Sequence, residues 1–225
     1  MVVQANFRVL QFSQLQSSGM KNLLTVLSFF PVFLLAQETS TAYAETIAHH
    51  REEYKAEFLK DKRAPLKAED LQYLRFFDPN EDFRVACTFE RTPDEKPFDL
   101  PTYSGITKPY RKYGKLTFEL NGQTLSLAVY QSIQHLTHPL YKNYLFLPFR
   151  DLTNGESTYG GGRYIDLKIT EVEGEEFYLD FNKCYNPWCG YSDGYNCPIP
   201  PSENNLEVEI LAGEKTYAGE KKHKD

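Results

Sequence analysis

The spacing of apolar residues changes once along this chain. Over 45–59 (ETIAHHREEYKAEFL), Ile47, Tyr54 and Phe58 fall one or two turns apart, which predicts a helix with one buried face. Pro65 interrupts that pattern, and 69–76 reads as a further turn or two of helix. From Phe83 onward the period is two. Phe83, Val85, Cys87 and Phe89 alternate with polar neighbours, as a half-buried strand requires, and Cys87 reads as a core thiol in that row. KLTFEL, Asn121-Gly122 and QTLSLAV together predict a hairpin, because Asn-Gly supplies the two positive-φ residues of a type I′ turn. That loop sets Leu116 against Leu127 and Phe118 against Leu125, apolar on apolar. Further strands are expected near 143–149, 162–170, 175–183 and 206–211. Many short strands with turn chemistry between them predict a mainly β fold, an antiparallel β-sandwich or barrel with an N-terminal helix packed against it. No internal repeat or low-complexity linker interrupts 45–217, which reads as a single domain followed by a charged tail at 218–225.

A second hairpin is predicted at Val172-Glu173-Gly174, a three-residue loop suited to a type I turn closed by a glycine bulge. It would oppose Glu171 with Glu175, and upstream Ile165 with Phe181, Leu167 with Leu179 and Ile169 with Phe177. The other face would carry Tyr164 opposite Asn182, Asp166 opposite Asp180 and Lys168 opposite Tyr178. Two carboxylates opposed at about 5 Å between Cβ atoms repel and require relief. Water supplies it on an exposed face, and a cation such as Arg163 or Lys168 supplies it on a covered one. The third reading is functional: a proton or cation shared by Asp166 and Asp180, one pKa raised, as acid/base catalysis uses.

The first 36 residues stand apart. Met20-Lys21 precedes the apolar run LLTVLSFFPVFLLA at 23–36, which Pro31 interrupts and a polar stretch follows. That is the anatomy of a signal peptide starting at Met20, too short and broken to span a bilayer. Cleavage is expected after Ala36, with AYA at 42–44 as a second candidate, and the protein is expected to be exported, periplasmic or extracellular. The 225-residue chain has 25 Lys and Arg against 31 Asp and Glu, a net charge of −6. Two basic and no acidic residues lie in the first 36, so the mature chain carries −8. That excludes nucleic acid as an expected partner, since phosphate neutralisation needs clustered cations. The terminal run Lys221-Lys222-His223-Lys224 reads as a solvated tail.

Chemistry-bearing residues concentrate near the C-terminus, in DFNKCYNPWCGYSDGYNCPIPPSENNL at 180–206. A Cys189–Cys197 disulfide is expected there in an oxidising compartment. The spacing C-x4-C-x7-C matches no zinc site, and no C-x-x-C or HExxH motif occurs, so no metal or cofactor is assigned. His135 and His138 read as surface-loop residues. TYGGGRY at 158–164 either turns glycine amides toward an anion, with the Arg163 fork beside them, or simply bends the chain. Tyr185, Asn186 and Trp188 would stand as a rigid wall beside the polar face of the hairpin, and Asn204 would hydrogen-bond the returning chain.

LFLPFRDLTNGESTYGGGRYIDL (145–167), DFNKCYNPWC (180–189), CPIPPSENNL (197–206) and AGEK (212–215) resemble an uncharacterised bacterial family, domain of unknown function 1684. HR at 50–51, APL at 64–66 and YRKYG at 110–114 resemble its looser upstream pattern. Two positions depart from it: Cys184 stands where alanine is expected and Asn205 where arginine is expected, which marks Cys184 as an extra thiol. The resemblance implies no activity. The residues themselves point first to a binding module for a small polar or anionic molecule, through Tyr159, Arg163, Tyr164, Asn182, Tyr185 and Asn186. The alternatives are a hydrolase- or lyase-type enzyme using Asp166 and Asp180, and an envelope-associated structural protein without a pocket.

Overall fold

The Asn121-Gly122 hairpin forms as its sequence dictates. Both residues have positive φ (51° and 73°), and Leu116 faces Leu127 while Phe118 faces Leu125. The computed structural model describes residues 30–223, with side chains from 41 onward. Residues 42–225 form one compact unit; residues 1–41 form another, of which only the helical stretch from Phe30 is described. Within the apolar run 23–36, positions 23–29 lie outside the described residues.

Helix α1 spans Phe30–Lys60. Seven strands follow: β1 (Arg84–Arg91), β2 (Phe98–Pro101), β3 (Thr107–Leu120), β4 (Gln123–Ser132), β5 (Tyr144–Phe149), β6 (Arg163–Lys168) and β7 (Phe177–Asp180). They make one antiparallel sheet in the order β6-β5-β4-β3-β1-β7, with β2 also pairing β3, an open half-barrel contacted by the 42–60 part of α1. The fold is mainly β with an N-terminal helix, as the periodicity predicts.

Alternation along the strands sorts two apolar layers. Leu116, Leu127, Leu145, Leu147, Ile165, Leu167 and Leu179 fill the main core. On the opposite face Leu100, Tyr110, Ala128, Tyr130, Phe146 and Tyr164 form a second, aromatic cluster. From α1, Ile47 and Phe58 are buried, and Phe58 joins a third cluster with Leu66, Leu74, Tyr191 and Tyr217. The short β4–β5 ladder is extended by the fully buried Asn204. Its amide accepts from Ala128 N (2.7 Å) and donates to the carbonyls of Ala128 (2.9 Å) and Pro148 (2.7 Å), so it does hydrogen-bond the return of the chain.

The turn or two of helix expected near 69–76 is present as a 3-10 helix, Ala68–Tyr73. Two expectations are corrected. Residues 206–211 form no strand; Leu206 N bonds Arg150 O, and Val208 O accepts from Leu152 N. Most consequentially, β6 and β7 do not pair with each other. β6 pairs β5, setting Ile165 against Leu147 and Leu167 against Leu145, and β7 pairs β1, setting Leu179 against Val85. Between them Ile169–Val172 winds into one turn of helix, α2, capped by Glu171 Oε2 accepting from Lys168 N at 2.7 Å. Gly174 does not take positive φ, and the chain crosses from one edge of the sheet to the other.

Candidate functional site

Strand alternation turns Tyr164, Asp166 and Lys168 to the face opposite Ile165 and Leu167. Pairing with β5 puts Phe146 directly opposite Asp166 and Tyr144 opposite Lys168. The Tyr144 hydroxyl donates to Asp166 Oδ1. The outer edge of β6 carries a single rung, in which Tyr164 and Tyr185 exchange N–H···O bonds of 2.9 and 3.0 Å. That rung fixes Tyr185 beside the strand, and its hydroxyl donates to the same Oδ1 at 2.6 Å. Oδ2 has no hydrogen-bond partner among the described residues.

Aromatic rings surround this carboxylate. The Tyr54 ring of α1 lies 5.7 Å from that of Tyr185, and Tyr164 meets Tyr185 edge-on at 6.0 Å. His135 and Tyr141, from the 133–143 loop, lie 6.1 and 6.5 Å from Tyr144. Asp166 is open to solvent, yet burial pushes its pKa up, with the Glu57 charge adding and the two hydroxyls opposing. Burial and the Asp166 charge raise the Tyr144 and Tyr185 phenols far above their ordinary range, so both remain donors.

Asp180 and Asn182 lie elsewhere. Asp180 Oδ1 accepts from Tyr43 OH (2.9 Å), Asn182 N (3.0 Å) and Asn182 Nδ2 (3.0 Å). Asn182 also bonds the backbone of Asn80 in both directions. This network ties α1 to the end of β7. Asp180 and Asp166 share no hydrogen-bond partner, and their strands are opposite edges of the sheet. The cross-strand aspartate pair is therefore not formed.

Arg163 is fully buried. Its guanidinium pairs with Asp151 Oδ2 at 2.8 Å and donates to the carbonyls of Ile210 (2.9 Å) and Ala212 (2.5 Å). It anchors the C-terminal segment and is not presented to a ligand. The neighbouring glycines serve close packing: at Gly162, φ is +89° and a Cβ would lie 2.6 Å from Phe149 O. Tyr159 is half-buried against this turn, where Gly162 N donates to its carbonyl at 3.1 Å. Tyr164 spends its hydroxyl on Pro198 O, at 2.5 Å. Asn186 is buried, donating from its backbone N to Glu214 Oε2 (2.9 Å) and from Nδ2 to Lys215 O (2.8 Å). Of the residues expected at one site, Asp166, Tyr164 and Tyr185 come together; Asp180, Asn182, Arg163, Asn186 and Tyr159 do not join them.

Among the buried carboxylates, Asp151 and Glu214 escaped sequence reading. Asp151 was signalled by DLTN, whose Asp151 Oδ1 accepts from Thr153 N at 2.9 Å in a local Asx turn. Glu214 had no such local signal. It is fully buried under Tyr54, Tyr191 and Asn186, and burial pushes its pKa up to about 7. Cys189 and Cys197 are disulfide-bonded, and Cys184 is a buried free thiol. The disulfide loop lies along β2, with Tyr103 N bonding Cys197 O (3.1 Å) and Ile199 N bonding Pro101 O (2.9 Å). The basic terminus is docked as far as it is described: Lys222 pairs with Asp70, and His223 Nδ1 lies 2.6 Å from Asp193 Oδ2. Among the described residues, no group of three His, Cys, Asp or Glu is placed to hold a metal ion. No described helix is long and apolar enough to cross a membrane.

The family model described as "Protein of unknown function (DUF1684)" matches residues 69–215. The chain is similar to an uncharacterised protein of Haloarcula marismortui, solved by solution NMR, at 33% identity and a TM-score of 0.61. That similarity covers 80% of this chain and 97% of the other. A search of curated proteins found no match.

Proposed function

Since the chain belongs to the DUF1684 family, whose description names no activity, we propose from its own residues that it is an exported binding module for a small polar molecule, seated on Asp166, Tyr144 and Tyr185. The observation that carries this reading is the carboxylate itself. Two tyrosine hydroxyls donate to Asp166 Oδ1, while Oδ2 is left as an acceptor on an exposed face bordered by the Tyr144 and Tyr185 rings. Ligand sites pair apolar walls with a few fixed polar groups, and this arrangement has both. A paired-aspartate hydrolase or lyase lacks its second carboxyl, because β7 carries Asp180 to the far edge of the sheet.

Export rests on the apolar run at 23–36 and on the Cys189–Cys197 disulfide, a bond that persists in oxidising compartments. N-terminal sequencing of the chain recovered outside the cytoplasm should begin at Gln37; an intact Met20 there would remove the leader. Binding is tested by a thermal-shift screen against metabolites, sugars and metal ions, repeated in Asp166→Asn and Tyr185→Phe. Hits should weaken in both variants. Ligands that stabilise parent and variants equally would place binding elsewhere, and a folded protein with no hits would favour an envelope-associated structural role.

A further inference from the structure

The chemistry around Asp166 selects among polar ligands. Both phenolic donors already end on Oδ1, so the carboxylate offers an incoming group an acceptor, Oδ2. Asp166 forms no ion pair among the described residues, although Lys168 follows two positions later on the same face. The charged group acting most on it is a second carboxylate, Glu57 of α1. Arg163, the cation that would have favoured an anion, is sealed in the core with Asp151. The part-buried rings of Tyr54, Tyr144 and Tyr185 stand around Asp166, over the buried Tyr164 and Phe146, and aromatic rings attract cations.

Resting on the binding reading above, we infer that the ligand is a small organic cation, an alkylated or primary amine, whose nitrogen meets Asp166 Oδ2 between the tyrosine rings. A neutral polyol would find acceptors here but lack donors directed at its own oxygens. An anion would meet two carboxylates.

The probe pair is choline and its uncharged carbon isostere, 3,3-dimethylbutan-1-ol, with butylammonium as a primary amine and acetate as the anion. Isothermal titration on the intact chain should show choline or butylammonium binding at least roughly tenfold more tightly than the isostere, the range expected of a desolvated cation–aromatic contact. Asp166→Asn should erase that preference, while Tyr144→Phe should weaken it without unfolding the protein. Equal affinity for choline and its isostere would overturn the inference, as would the absence of amine binding up to ~10 mM, a concentration that detects even millimolar affinity. Neutral or anionic hits that depend on Asp166 would overturn the cation and leave the site standing. Hits indifferent to Asp166→Asn would remove the site itself.

Discussion

Glu214 should make the stability of this protein fall as pH rises through the weakly acidic range. Its carboxylate is fully buried, accepting from Tyr191 OH at 2.7 and 2.8 Å, from Tyr54 OH at 3.1 Å and from Asn186 N at 2.9 Å. These donors favour the charged form, but burial outweighs them and moves the pKa from 4.5 to about 7. A carboxyl whose folded pKa is raised holds its proton more tightly in the native state. Its stabilising contribution is complete below the unfolded pKa and is lost as pH climbs through the folded one. At about 1.4 kcal/mol per pH unit, the displacement is worth roughly 3 kcal/mol. Glu214→Gln removes the titration while keeping the shape. Urea unfolding of parent and variant at intervals from pH 4 to 8 should show their stability difference changing by roughly 3 kcal/mol between about pH 4.5 and 7, then levelling off. The variant also sets an amide NH2 among donors, which adds a pH-independent offset; the slope is therefore the diagnostic quantity. Asp166 titrates in both proteins and cancels. A stability difference that stays flat across this window would refute the reasoning.

Arg163→Ala leaves Asp151 charged and buried without its partner, which should cost about 3–5 kcal/mol in chemical denaturation; a loss below ~1 kcal/mol would show that the pair is dispensable. Replacing Cys189 and Cys197 together by serine opens a loop of sequence separation 8. Loop entropy puts that cost at about 2.5 kcal/mol, readable as a lowered melting temperature that reductant reproduces in the parent. Gly114→Ala drives a Cβ to 2.4 Å from the Phe89 ring and 2.5 Å from Glu90 O, so it should destabilise by about 1–3 kcal/mol; a neutral result would mean that β1 and β3 separate freely there.

Gly114 also explains what was legible in the sequence. The register of β3 against β4 shifts between Lys112 and Gly114. Before the shift Tyr110 faces the aromatic cluster; after it Leu116 and Phe118, in the same phase of alternation, face the main core. A period-two reading therefore recovers 115–120 and loses the first half of the strand, and with it β2. The β6–β7 error has a different origin. Ile165 and Leu167 match an apolar partner in β5 as well as they would in β7, so alternation fixes which face is buried without fixing the neighbour. Glu171, three residues after Lys168, was the local clue that the chain turns into helix there. Asp166 and Tyr185 meet through one backbone rung at Tyr164, a contact that no local pattern encodes. Arg163 was misread because a cation beside glycines suits an anion site, whereas Asp151 and the carbonyls of 210–212 claim it from distant positions.

The crossover from β6 to β7 bears on the order in which the molecule can assemble. β7 completes the sheet only by reaching back to β1, and α1 closes on partners 137 and 160 residues downstream, through Tyr43 with Asp180 and Tyr54 with Glu214. Contacts of such separation form late, since the intervening chain must first be brought together. During synthesis the earliest segments thus wait unmatched until nearly the last residues emerge, and a polypeptide kept pliant for that interval is one that a translocation pore can still thread.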